Sequence, residues 1–355
     1  MHSPTAVNDV LKYISLKKII IPILLGLSVV GYMLYTKIDA HTFSNISWTN
    51  ISTIAIAVAI VMLALRDFAY IIRLRILSKK RLSWEQCFEV VFCWEFASAV
   101  APGAIGGGFA FAIFAIHKEK ITLGKSVAIV LLTSFFDGLF FILGAPVLYA
   151  IFTKHQLFYN VTNSAQIMSN SQALHSAFWS IYGLVVFYKI VVGYALFVDA
   201  SAVKKGLQKL FSIPFLQRWQ AKAATTGDEL IVASKELKQE SAMYYIGGFA
   251  ATVLSWTARF TIVNCVIAAF STAEDVHHLL LFARQIVVGI LMMGTPTPGG
   301  AGLAELSFGN FYGEFINNAG LTVALALLWR MLSYYPYLIM GAIVVPRWVR
   351  RVFAQ

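Results

Sequence analysis

Long apolar runs separated by short polar turns organise this sequence. Uninterrupted runs fall at about 19–35, 51–72, 126–151, 177–197, 243–270 and 321–345. Each has at least the roughly 17 residues that a helix needs to cross a bilayer core of about 30 Å. Two further apolar stretches, 87–116 and 279–315, carry Pro and Gly inside them. The first is interrupted at Ala101-Pro-Gly-Ala-Ile-Gly-Gly-Gly108 and the second at Thr295-Pro-Thr-Pro-Gly-Gly-Ala-Gly302. Broken backbone within lipid frees N–H and C=O groups that only protein or a wet cavity can satisfy. Paired interruptions in the two halves of a chain point to a transporter-like site near the bilayer midplane.

The charges between the runs set a topology. Lys12, Lys17 and Lys18 precede the first run, and Arg73, Arg75, Lys79, Lys80 and Arg81 close the second. Lys118, Lys120 and Lys125, the stretch 201–241, and Arg347, Arg350 and Arg351 are basic as well. Such segments stay in the cytoplasm, whereas the turns near 36–50, 152–175 and 271–278 are poor in Lys and Arg and belong outside. The stretch 87–116 has basic flanks at both ends, so it enters and leaves on the cytoplasmic side. The stretch 279–315 lies between turns without Lys or Arg and enters from outside. The prediction is an all-α polytopic membrane protein with about six spans and two re-entrant hairpins, both termini cytoplasmic. An alternative count of eight spans has the second broken stretch crossing twice.

In this reading, 1–355 is a single integral membrane domain. A first repeat covers 51–151, with its hairpin broken at 101–108. A second repeat of opposite orientation covers 243–345, broken at 295–302. Arg66 precedes Pro102 by about as many residues as Arg259 precedes Pro298, and Asp137 follows the first break much as Arg330 follows the second. Between the repeats, 201–241 alternates lysines with Leu207, Leu210, Phe211, Phe215 and Trp219, the pattern of an amphipathic cytoplasmic linker lying on the inner leaflet.

Composition agrees with the pattern. The 355 residues are 59% hydrophobic and 13% charged, which excludes an ordinary soluble enzyme. The net charge of +11 follows from the cytoplasmic bias and favours anionic lipid. The basic residues are scattered over separate turns, which argues against nucleic acid. Cys87, Cys93 and Cys265 sit in apolar sequence and form neither a metal pattern nor a disulfide framework. No metalloprotease, Walker, nucleophile-elbow or Asp-x-Asp motif is present, so no catalytic residue, metal or cofactor is expected.

The chemistry then rests on charges inside the apolar stretches: Glu95, Asp137, Arg259, Arg284, Glu305 and Arg330, with Arg66 and Asp67 nearer the inner face. A charge at a span centre costs on the order of 2.5–3.5 kcal/mol on insertion scales, so such residues are paired or functional. Arg259, Arg284 and Arg330 are candidates to meet a phosphate through the planar fork of a guanidinium. Pro298, Gly299, Gly300 and Gly302, with Pro102, Gly103, Gly106 and Gly107 in the first break, would let backbone approach a substrate. Glu305 lies near the helix start after the second break, in a capping or coupling role. Glu95 and Asp137 are candidates for coupling.

Pro298-Gly-Gly-Ala-Gly-Leu-Ala-Glu305, followed by Leu-Trp-Arg330, resembles the signature of the lysylphosphatidylglycerol synthase/flippase transmembrane family. Pro102-Gly-Ala-Ile-Gly-Gly107 is similar to its first motif, and Arg66 to Arg73 to the basic end of its second span. Gly108 and Phe111 stand where that first motif continues with Glu and Arg. The resemblance covers residues 17–350 and implies a stand-alone member, without the soluble aminoacyl-transferase domain. It implies movement of an anionic or polyprenyl-linked lipid between leaflets of a prokaryotic cytoplasmic membrane. The alternatives are a membrane-embedded transferase acting on a polyprenyl-linked sugar, or a non-transporting partner of a lipid-modifying enzyme. A homo-oligomer or a membrane-enzyme partner is compatible with each.

Overall fold

The computed structural model describes residues 51–100, 107–158, 164–212, 220–271, 277–295, 297, 300, 303–316 and 319–353. The described residues form helices and turns, with no strand among them. The run at 19–35, both glycine-rich breaks for the most part, and the residues 213–219 of the linker lie outside this set.

Thirteen α-helices are described. The first, α1 (Thr53–Leu77), starts at Ser52, whose hydroxyl accepts from Ala55 N–H. It ends where Lys79 and Lys80 turn left-handed, at φ 54° and 59°. Next come α2 (Trp84–Val100), α3 (Gly107–Lys118) and α4 (Leu123–Ile151). The short α5 (Lys154–Leu157) has a reciprocal cap between Thr153 and Gln156. The long α6 (Ser164–Phe197) follows, then α7 (Ala200–Leu210) and α8 (Gln220–Leu237). The second half holds α9 (Ala242–Phe270), α10 (His278–Met293), α11 (Leu303–Tyr312), α12 (Ala319–Ser333) and α13 (Tyr335–Phe353).

Five stretches are long and apolar enough to cross a membrane: Thr53–Leu77, Leu123–Ile151, Gln172–Phe197, Ala242–Phe270 and Gly320–Phe353. They coincide with five of the six predicted runs. Leu184, Phe187 and Ile190 of α6 and Ile54, Ile60 and Val61 of α1 are exposed, as lipid-facing side chains are. The last stretch is not one continuous helix. It breaks at Tyr334, because Pro336 brings no N–H to extend α12 but fits the first turn of α13.

Among the described residues, the most extensive helix pair is α1 with α9. The two run antiparallel: Ser52 N–H donates to Ala269 C=O at 2.9 Å, and at the other end Tyr244 Oη donates to Leu77 C=O at 3.1 Å. Around them the halves exchange partners. Helix α2 packs on α13, and α10 packs on α4. Two apolar clusters result. One gathers α2, α3, the first half of α4 and α13 around Phe96, Phe136 and Trp348. The other gathers the second half of α4 with α9, α10, α11 and α12 around Phe141, Phe260 and Phe308. Gly341 lets α13 press onto α2: a Cβ there would lie 2.2 Å from Phe96 Cδ2.

Charges close the end of the bundle that carries the basic turns. Glu240, just before α9, pairs with Lys125 of α4 and, at 2.9 Å, with Lys79. Arg351 of α13 pairs with Glu89 and Glu119, and Trp348 Nε1 donates to Glu119 at 2.8 Å. The linker does not float. Val203, Leu207 and Ile231 pack onto the first apolar cluster, and Lys204 meets Asp228 at 2.5 Å.

Candidate functional site

One face of α1 carries Arg66, Tyr70 and Arg73, spaced by four and three residues so that they stack along the helix. Arg66 donates to Glu95 of α2 at 2.6 Å and to its neighbour Asp67 at 2.9 Å. Its guanidinium lies 4.3 Å from the Tyr337 ring of α13 and 4.9 Å from Tyr70. Tyr337 Oη donates to the same Asp67 oxygen at 2.9 Å. Two turns along from Arg66, Arg73 donates to Asp137 of α4 at 2.7 Å and to Thr252 Oγ1 of α9 at 3.0 Å, and it also faces Tyr70, at 4.7 Å. Trp256 Nε1 of α9 completes the Asp137 contact at 3.0 Å. Arg259 lies 5.1 Å from the Trp256 ring and within electrostatic reach of Asp67.

These contacts close into a ring drawn from α1, α2, α4, α9 and α13. Three arginines face three carboxylates, so the ring is formally neutral. Its two kinds of charge are not equally accessible. The side chains of Arg66 and Arg73 are 2% and 7% exposed, whereas Asp67, Glu95 and Asp137 are 17%, 26% and 29% exposed. The arginines therefore form the back wall and the carboxylates the opening. Each carboxylate gives one oxygen to the wall: Asp67 Oδ1, Glu95 Oε2 and Asp137 Oδ1. Among the described residues, the second oxygen of each has no protein hydrogen bond. Arg259 is half-buried and, among the described residues, has no carboxylate in ion-pair contact.

The other predicted cations sit elsewhere. Arg330 Nε lies 2.9 Å from Glu305 Oε1, both side chains are buried, and the guanidinium covers Tyr334 at 4.0 Å. Glu305 occupies the first turn of α11, where the helix dipole favours it. Arg284 is buried against Glu314 at 2.6 Å, the Phe311 carbonyl at 2.6 Å and the Gln156 carbonyl at 2.8 Å. It fastens the end of α11 to α5. Gly300 has φ 65°, a conformation that suits glycine. Gly107 opens α3. Pro102, Gly103, Gly106, Pro298, Gly299 and Gly302 lie outside the described residues. The structure thus brings Arg259, Glu95 and Asp137 together, and places Arg284, Arg330 and Glu305 in separate clusters.

Tyr70, Arg73, Thr252 and Trp256 belong to the ring although the sequence does not mark them as site residues. Lys189, a buried cation in the last third of α6, is equally unmarked. The spacing of Arg66, Tyr70 and Arg73 was the available signal for the first group, and a lysine inside a lipid-grade run for the last.

Among the described residues no group of His, Cys, Asp and Glu can hold a metal. His277 caps α10, and the exposed His278 lies 3.3 Å from Asn264 Oδ1. That pair ends an apolar groove of about 530 Å³ between α1, α9 and α10, away from the ring.

The sequence model of one family, the lysylphosphatidylglycerol synthase TM region, matches residues 19–341. A UPF0104 membrane protein of Archaeoglobus fulgidus is 24% identical over 317 residues, covering 86% of this chain and 90% of that protein. No solved structure matches the chain.

Proposed function

This chain belongs to the lysylphosphatidylglycerol synthase transmembrane-region family and is an integral membrane protein, and from that membership and the ring we propose that it moves a lipid between leaflets. The observation that carries the reading is the half-buried Arg259, which among the described residues is the ring's guanidinium outside its ion pairs, at an opening edged by carboxylates. A phosphate on an anionic phospholipid or a polyprenyl-linked lipid is the natural ligand for that fork of donors. The carboxylates bound the space the headgroup occupies, and the arginines behind them keep the wall neutral.

The helix arrangement supports an inverted repeat around this site. The corresponding helices α1 and α9 are antiparallel, and each broken segment packs its first arm on the last helices of the other half. The arms α2, α3, α10 and α11 have 17, 12, 16 and 10 residues. At about 1.5 Å per residue none exceeds roughly 26 Å, which favours re-entrant hairpins over eight spans. Alternating access is then rocking of one half against the other around the ring. In this reading the basic turns face the cytoplasm, both termini lie there, and the membrane is a prokaryotic cytoplasmic one.

The test is lipid movement by the purified protein in liposomes, with labelled anionic and zwitterionic lipids. Headgroup-selective movement by the parent and its loss in Arg259→Ala, with unchanged melting, is the expected result. Undiminished movement in Arg259→Ala removes Arg259 from the path.

A further inference from the structure

Lys189 lies in the last third of α6, eight residues before its end, with 8% of its surface exposed. Its ammonium donates to Ser134 C=O at 2.6 Å and Ser134 Oγ at 2.7 Å, and sits 5.0 Å from the Tyr188 ring. No carboxylate is within ion-pair distance among the described residues. The charged group within its electrostatic reach is Asp137, one turn beyond Ser134 on α4 and held by Arg73 in the ring. Helices α7, α8 and α10 also pack on α6, and among the described residues none brings a titratable group within that reach.

The placement depends on a missing side chain. A Cβ on Gly138 would fall 2.2 Å from Lys189 Cε and 2.8 Å from its Cδ and Cγ. The lysine thus crosses α4 through the gap at Gly138 and reaches Ser134, one turn before Asp137. An intramembrane cation without a counter-charge is expensive. Lysine, unlike arginine, can give up its proton when buried. The ring supplies a reason for it to do so reversibly: Asp137 leaves Lys189 unpaired only while Arg73 holds it.

We propose that Lys189 is a proton-binding site that couples a proton to lipid movement through Asp137. The coupling rests on the transport reading above. When α1 and α9 shift and Arg73 withdraws, Asp137 turns to Lys189, which takes a proton from water on that side. When Arg73 returns, the ammonium loses its partner and releases the proton to the other side. Only the N–H bond forms and breaks, and no co-reactant beyond water is needed.

The experiment uses the full chain in liposomes with a labelled anionic phospholipid and an imposed pH gradient. With one proton per lipid, each unit of gradient shifts the leaflet ratio by up to about tenfold. The parent follows the gradient. Lys189→Met, which is never charged, and Lys189→Arg, which never loses its charge, still move lipid but lose the shift. A shift retained in either variant, or a parent that moves lipid without regard to the gradient, overturns the proposal and leaves the transport reading standing. If the parent moves no lipid, the transport reading fails and melting decides the proton site. The difference in melting temperature between parent and Lys189→Met then varies with pH if the fold changes the proton affinity of Lys189, and stays flat below about pH 10 if it does not.

Discussion

The Glu305–Arg330 pair offers the sharpest energetic test of the fold beside the second glycine-rich break. Its side chains are 0% and 5% exposed and meet at 2.9 Å. Removing one partner of a buried pair leaves a charge without water or counter-ion, which costs about 3–5 kcal/mol. For a chain of 355 residues that is a fall in melting temperature of roughly 4–7 °C. The two single variants differ. Glu305→Gln keeps an amide oxygen that can accept from Arg330, so it lies at the low end. Arg330→Met strands a carboxylate at the start of α11, where the helix dipole returns only about 0.3–1 kcal/mol, so it lies at the high end. The double variant Glu305→Gln/Arg330→Met has no buried charge and recovers most of the loss. The losses are therefore strongly non-additive, and a coupling energy of about 5–7 kcal/mol is expected. Tryptophan-monitored melting of the four proteins in one detergent measures it. Additive losses, or single variants within about 1 kcal/mol of the parent, refute the reasoning. The double variant also separates two roles. If it is stable and still moves lipid, the pair is a strut; if stable and inert, the pair lies on the path.

Two further outcomes follow from the same packing. Burial acts to raise the Glu240 carboxyl, but its hydrogen bonds to Lys125 and Lys79 and their charges outweigh burial and hold it below the usual carboxylate value. A carboxyl lowered in the fold stabilises above its unfolded value and loses that contribution as pH falls through the folded one. The melting gap between parent and Glu240→Gln should thus be full at neutral pH and close in acid; a gap that persists unchanged into acid counts against the assignment. At Gly341 an added Cβ would meet Phe96 Cδ2, Cγ and Cβ at 2.2, 2.3 and 2.4 Å, too near the backbone of α2 to swing aside. Gly341→Ala should cost about 1–3 kcal/mol by overpacking, read as a lower melting temperature; parent-like melting would mean that α13 does not press on α2 this closely.

What the sequence disclosed and what it withheld divide along a physical line. Apolar length is local, so α1, α4, α6 and α9 fall close to their predicted runs, and the basic turns mark one end of the bundle. Partnership between charges is not local. Arg284 and Arg330 read as phosphate ligands because a guanidinium in an apolar run has no visible counter-ion, yet the fold sets Arg330 against Glu305 and Arg284 against Glu314 and two carbonyls. Arg73 read as a positive-inside anchor because it begins a basic cluster, yet it donates to Asp137 and Thr252 from the other side of the ring. Lys189 was hidden for a related reason. One lysine barely lowers the hydropathy of a long run, and the gap at Gly138 that admits it exists only once α4 and α6 are docked. The interruption at Tyr334 could have been taken from Pro336, but hydropathy alone joins the two helices into one span. The exchange of partners between halves explains why the ring in particular escapes a local reading. Helices α2 and α13 come from opposite halves, as do α10 and α4, so neither half completes its own core. The ring lies where these exchanged contacts meet α1 and α9, and its residues acquire their roles only when both halves are in place.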